Sequence, residues 1–149
     1  MSIDSKLILE IRQKTNAGMM DIKKALEEAG SDVTKAIALL KEKGLAKAAK
    51  KQERETEAGV VISYVHLNKI GALLTLNCET DFVAKTDEFN DLARSIVSQV
   101  VAIDPADINE LLASPFFKDE SITINDLIIA SIAKLGENIS IGKFYRLSL

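Results

Sequence analysis

The chain has 149 residues, 47% of them apolar and 28% charged, with one cysteine and a formal net charge of -3, a size that allows one ordinary domain or a smaller one with an appendage. No apolar run reaches the roughly 18 residues of a membrane helix, so no membrane contact is expected, and the slightly acidic balance does not suit a nucleic-acid binder. A single cysteine permits no internal disulfide, and the opening Met1-Ser2-Ile3-Asp4-Ser5-Lys6 lacks the basic-then-apolar order of a secretory signal, so a cytoplasmic location is expected.

Leu7, Ile8 and Ile11 form a helical stripe with Asp4 or Ser5 available as N-cap. Thr15-Asn16-Ala17-Gly18 supplies turn chemistry, so a second helix should start near Met19. Met19, Ile22, Leu26 and Ala29 then recur at helical spacing, Asp21 suits the first turn, and Gly30 should end it. Ser31 or Asp32 can cap a third helix with a stripe of Val33, Ala36, Ile37 and Leu40, closed by Gly44. These helices predict a small N-terminal domain over 1–45, too short to be robust unless it docks on something. Residues 46–57 turn to Ala, Lys and Glu without a clear apolar face and read as a linker, helical in part.

The period then changes to two. Val60, Ile62, Tyr64 and His66 share one face and Val61, Val65 and Leu67 the other, with Asn68-Lys69 as a turn into Ile70, Ala72, Leu74 and Leu76. Apolar residues on both faces predict a sheet covered in part on both sides. Cys78 follows in a strand context, as a small core residue rather than a nucleophile. At Glu79-Thr80-Asp81-Phe82-Val83 the pattern breaks, and Phe82 belongs to neither neighbouring period. By pattern alone it reads as a ring tucked under its own turn.

Thr86 or Asp87 can cap the next helix, with a stripe of Phe89, Leu92, Ala93, Ile96 and Val100, which reads as the longest in the chain. Asp104-Pro105 should start a shorter helix carrying Ile108, Leu111 and Leu112, stopped by Ser114-Pro115. Thr123 with Asp126 resembles a capping box, and Leu127, Ile128, Ser131, Ile132 and Leu135 lead to a terminating Gly136. In the last segment Ile139, Ile141, Tyr145, Leu147 and Leu149 share one parity and Phe144 the other, as in a closing strand beside the hairpin. The expected fold class is α+β, a three-helix N-terminal domain followed over 58–149 by a core of a small antiparallel sheet covered by helices.

There is no phosphate-binding glycine loop and no Cys/His set at metal spacing, so no cofactor is expected. His66 stands without a second histidine and reads as a surface residue. Glu79 and Asp81, two apart in extended chain, should both point into solvent with nothing to split their pKa values, which leaves an enzyme reading little support. The lysine-rich stretch 41–51, with Glu42 as its one acid, reads as a solvated face before it reads as an anion-binding one.

Three separated segments carry a resemblance. Thr15-Asn16-Ala17-Gly18-Met19-Met20-Asp21-Ile22-Lys23-Lys24-Ala25-Leu26, Asn77-Cys78-Glu79-Thr80-Asp81-Phe82-Val83-Ala84-Lys85 and Lys134-Leu135-Gly136-Glu137-Asn138-Ile139 resemble, in order, the signatures of bacterial elongation factor Ts. That family exchanges guanine nucleotide on elongation factor Tu, and the resemblance implies a ubiquitin-associated-like N-terminal domain before the α+β core. It implies that Thr80, Asp81, Phe82 and Val83 disturb the partner's magnesium site, with Phe82 as a wedge in an apolar pocket and Asp81 acting beside it. It further implies that Met19 and Met20, with Arg12 nearby, meet the same nucleotide domain, while Met19 also fits the core stripe of its helix. No direct nucleic-acid contact follows from it. A free-standing ubiquitin-like or peptide-binding module over residues 1–50, and a nucleic-acid contact at 41–51, stand as alternatives.

The chain departs from the family pattern in places. Asn16 stands where Gly is usual, Ile22 where Cys is common, and Gly142-Lys143 where many relatives have Arg-Arg. The second core subdomain and coiled-coil insertion of longer members are missing. Short members pair two chains, so the resemblance implies a homodimer with the final strand near the interface.

Overall fold

The structure is a computed structural model and describes residues 3–15 and 17–149. The readings made on Met1, Ser2 and Asn16 lie outside the described residues.

Helices α1 (Ser5–Thr15), α2 (Met19–Glu28) and α3 (Val33–Lys51) open the chain. Ile8, Ile11, Ile22, Ala25, Leu26 and Ala36 form their shared core, drawn from the faces that the apolar spacing marks. Asp4 accepts from the Lys6 amide at 3.0 Å and Asp32 from that of Lys35 at 3.1 Å, so the carboxylates rather than the serines start these helices. Gly30 and Ser31 lie in the left-handed region, with φ of 61° and 67°, and reverse the chain between α2 and α3.

Gly44 does not close α3. The helix runs to Lys51 through much of the stretch read as a linker, and its 19 residues make it longer than the 17 of α5 (Asp87–Ile103). The cause is tertiary. Gly44 lies against helix α7 (Ile124–Leu135), where a Cβ would stand 3.9 Å from that of Ala133, and Ala48 is buried in the larger core. Packing of this kind outweighs the roughly 1 kcal/mol helix penalty of one glycine.

Strands β1 (Ala58–His66), β2 (Ile70–Cys78) and β5 (Ile139–Ser148) form an antiparallel sheet in the order β1-β2-β5. The hairpin turns on Leu67 and Asn68, both at positive φ, and is closed by the Lys69 amide on the His66 carbonyl at 3.0 Å. The turn therefore sits one residue earlier than Asn68-Lys69, since the twist of a two-residue hairpin asks for two left-handed positions. A Cβ on Gly59 (φ 153°) would run into the Leu76 carbonyl, so only glycine lets the strands meet there.

The register of β5 shifts between Leu74 and Leu76 of its partner. This bulge separates residues that simple alternation would put on one face: Ile139 and Ile141 pack against the core, whereas Tyr145 and Leu147 point away from it and Phe144 turns in. Gly142 sits at the shift, its missing Cβ replaced by the Thr75 hydroxyl, which also accepts from the Lys143 amide at 2.8 Å. An Arg-Arg pair at 142 and 143 would need Thr75 to move.

Phe89, Leu92, Ala93, Ile96 and Val100 of α5 lie buried in one core with Leu74, Leu76 and Cys78 of β2. The opposite face is not covered. Val61, Val65, Leu73, Tyr145 and Leu147 remain exposed there, contrary to the expectation of cover on both sides. Asp104 ends α5 in the left-handed region instead of starting the next helix; α6 (Ile108–Ala113) is capped by Asp107, which accepts from the Glu110 amide at 2.8 Å. A short hairpin of β3 (Pro115–Phe116) and β4 (Asp119–Thr123) follows, which alternation over so few residues does not announce. The fully buried Gln99 ties it to α5 by donating to the Pro115 carbonyl at 2.8 Å and accepting from the Phe117 amide at 3.0 Å. Thr123 and Asp126 form the capping box of α7, and Gly136 ends that helix at φ 77°. The fold is α+β, with three N-terminal helices followed by a small antiparallel sheet covered by helices.

Candidate functional site

At the end of β2 the chain enters a one-turn helix, α4 (Asp81–Ala84), started by Thr80, whose hydroxyl accepts from the Val83 amide at 3.4 Å. Val83 and Ala84 are buried and anchor the turn in the core. Asp81 and Phe82 face outward. Phe82 is 84% exposed, so its ring is not tucked under the turn. A ring in water forgoes burial worth roughly 1.5 to 3 kcal/mol. Val83, by contrast, is placed where it supports the turn and does not reach outward.

The turn is held from the side by the segment after α7. Glu137 accepts from the Glu79 and Thr80 amides at 3.1 and 3.0 Å through Oε1 and from the Thr80 hydroxyl at 2.7 Å through Oε2. Glu79 answers by accepting from the Asn138 amide at 2.8 Å, with the Arg54 guanidinium 3.6 Å away. Glu79 is thus only partly exposed and engaged in the fold while Asp81 is exposed, so the two do not share a solvent-facing position. Asn138 is buried and donates to the Arg54 carbonyl at 2.8 Å, and Lys51 at the end of α3 donates to the Gly136 carbonyl at 2.8 Å. Cys78 lies fully buried beneath the turn, its thiol donating to the Thr80 carbonyl at 3.2 Å. Burial pushes that thiol up from its ordinary pKa, and the carboxylates of Glu137 and Asp81 push the same way, so it is a core residue and no nucleophile.

The other exposed apolar residues singled out by sequence are Met19 and Met20, at the start of α2. Met19 is half exposed, so it stands outside the core stripe to which its spacing assigned it. Arg12 is exposed one turn before the end of α1. Asp21, in the first turn of α2, lies 3.5 Å from Lys47 of α3. Lys43 pairs with Glu28 at 2.7 Å, so the lysine-rich stretch is in part neutralised by neighbouring acids.

A model of the elongation factor Ts family matches residues 79–149, from the acid before the turn to the last strand. The elongation factor Ts of Fervidobacterium nodosum is 41% identical over 195 aligned positions, which take in all of this chain and 99% of that protein. The chain belongs to the elongation factor Ts family. Further members of that name from Thermodesulfovibrio yellowstonii and Leptospira biflexa are 38% and 40% identical, with 96% and 97% of their lengths covered. Because 195 aligned positions exceed 149 residues, the Fervidobacterium protein carries internal segments that this chain lacks.

Within this family member the features worth recognising are projections, not cavities. An open cleft of about 450 Å³ lies between the start of α6 and β5, and its lining includes no residue of the Phe82 turn. Among the described residues no group of three His, Cys, Asp or Glu side chains could hold a metal ion, and His66 bonds to the Tyr64 hydroxyl at 2.9 Å. Among the described residues no helix is long and apolar enough to cross a membrane. Sequence reasoning missed the roles of Glu137, Asn138 and Arg54. The first two stood in the segment that carried the resemblance, but bonds across more than fifty residues of chain leave no local signal.

Proposed function

We propose that this chain is a guanine-nucleotide exchange factor that acts in the cytoplasm on elongation factor Tu, promoting GDP release so that GTP can bind. The supporting observation is an almost fully exposed Phe82 on a turn anchored from below by Val83 and from the side by Glu137. A ring projecting from a turn already held in the fold is suited to enter an apolar pocket of a partner, with little ordering of the turn to pay for on binding. Asp81, exposed beside it, brings the negative charge that would compete for the magnesium environment, and Thr80 and Val83 hold the two in place. Arg12, Met19 and Met20 form the second contact, methionine being able to adapt its shape to a partner surface. The factor works by binding and makes or breaks no covalent bond.

The wedge alone does not suffice. Burying one Phe is worth roughly 1.5 to 3 kcal/mol, whereas moving a two-state equilibrium from mostly closed to mostly open takes about 5.5 kcal/mol of differential binding. Asp81 and the N-terminal contact must share the remainder. Linkage then requires that nucleotide weaken factor binding by the same factor as the factor weakens nucleotide binding. GDP with magnesium is therefore expected to dissociate the complex, read as faster loss of immobilised partner; an affinity indifferent to GDP would end the exchange reading.

The uncovered sheet face, with Val61, Leu73, Tyr145 and Leu147, supports a homodimer in which β5 lies near the interface. Light scattering is expected to give twice the chain mass for the native protein and a shift to the single-chain mass for Leu73→Lys. A native chain that stays monomeric at working concentration would refute the dimer.

A further inference from the structure

We infer that Glu137 is a positioning residue for the Phe82 wedge, and that the turn at 136–138 is the joint coupling the wedge to the N-terminal contact. The inference rests on the exchange reading for its functional half and on geometry for the other. Three donors of the wedge turn converge on this one carboxylate: the amides of Glu79 and Thr80 and the hydroxyl of Thr80. By accepting the hydroxyl proton, Glu137 leaves an oxygen lone pair of Thr80 free to receive the Val83 amide, the bond that starts the one-turn helix under Phe82. A turn of four residues has too little helical structure of its own to hold a ring in one direction, so its direction depends on the buried Val83 and Ala84 below it and on this outside clasp.

The same short turn is gripped from the other side. Gly136 receives Lys51 from the end of α3, and Asn138 donates to the carbonyls of Gln52 and Arg54 just beyond it. α3 is the helix against which α1 and α2 build their core, so a displacement of 136–138 would alter the angle between Phe82 and Met19 and Met20. Every donor and acceptor at the joint belongs to this chain. Its role is to hold geometry, and Glu137 need not touch the partner.

Two readouts separate the inference from the reading beneath it. The chain has no tryptophan, so Phe82→Trp places a single reporter at the wedge, and its anisotropy decay measures how firmly the turn is held without any partner. Glu137→Ala in that background is expected to increase the fast component, with Glu137→Gln, which keeps one acceptor oxygen, falling between. In release of labelled GDP from elongation factor Tu, Glu137→Ala is expected to lower the saturating rate about tenfold, the ~1.4 kcal/mol of one charge-assisted hydrogen bond, while the half-saturating concentration changes less than twofold. Adding Glu137→Ala to Phe82→Ala should then cause no further loss beyond that of Phe82→Ala alone, because the clasp acts through the ring. Unchanged anisotropy and an unchanged saturating rate in Glu137→Ala would overturn the inference. A native chain that accelerates no release would sink the exchange reading instead, leaving the clasp to be judged by anisotropy. If Glu137→Ala fails to fold by circular dichroism, Glu137→Gln carries both measurements.

Discussion

Phe82→Ala is expected to lower the accelerated release of GDP from elongation factor Tu by about ten- to a hundredfold while leaving the chain as stable as before. The size follows from the burial free energy of one phenyl side chain, roughly 1.5 to 3 kcal/mol, at about 1.4 kcal/mol per factor of ten. The absence of a stability effect follows from the 84% exposure of the ring, which gives the fold almost no burial to lose. Equilibrium unfolding in urea alongside labelled-nucleotide release checks both halves. A variant that exchanges as fast as the native chain would remove Phe82 from the mechanism, and one that loses both stability and exchange would mean that the ring serves the fold.

Phe89→Ala should do the reverse. Seven positions further on, the same residue type is fully buried at the start of α5, in one core with β2 and with Val83 and Ala84 of the Phe82 turn. Its truncation removes the transfer free energy of the ring and leaves a cavity, about 3 to 5 kcal/mol together, against a total stability of about 5 to 15 kcal/mol for such a domain. The unfolding midpoint in urea should fall by about a fifth or more with an unchanged slope, while the variant that remains folded at low temperature keeps its exchange activity. A loss below about 1 kcal/mol would show that the site collapses around the missing ring. The two phenylalanines together separate projecting from packing roles within a single stretch of chain.

Much of the architecture is legible in the sequence. The stripe at Phe89, Leu92, Ala93, Ile96 and Val100, the capping box at Thr123 and Asp126, and the stop at Gly136 are local patterns, and each is realised in the fold. Three local patterns point elsewhere. A glycine at position 44 predicts a helix end because glycine is costly in isolation, but α7 packs over it and the helix continues. Asp104 before Pro105 predicts a helix start, although its backbone serves as the left-handed end of α5. Simple alternation gives residues 139–149 one parity, and a bulge facing Thr75 divides it. At Gly44 the local preference, about 1 kcal/mol, is outweighed by packing against α7 and by the burial of Ala48.

The candidate site divides along the same line. Sequence alone could single out Phe82 as a large ring out of register with both neighbouring patterns, and the three quoted segments carried the family resemblance, because both depend on residue identity and spacing. It could not say whether that ring points in or out. That was decided by Val83 and Ala84 entering the core and by Glu137 reaching across from the far end of α7 to Thr80, 57 residues away, a contact whose existence depends on the sheet bringing the end of β2 beside the start of β5. Residue identity determined the chemistry available to this chain, while the antiparallel pairing of distant strands decided which of its side chains are buried and which are held out into solvent, since only tertiary contacts fix where each side chain ends up.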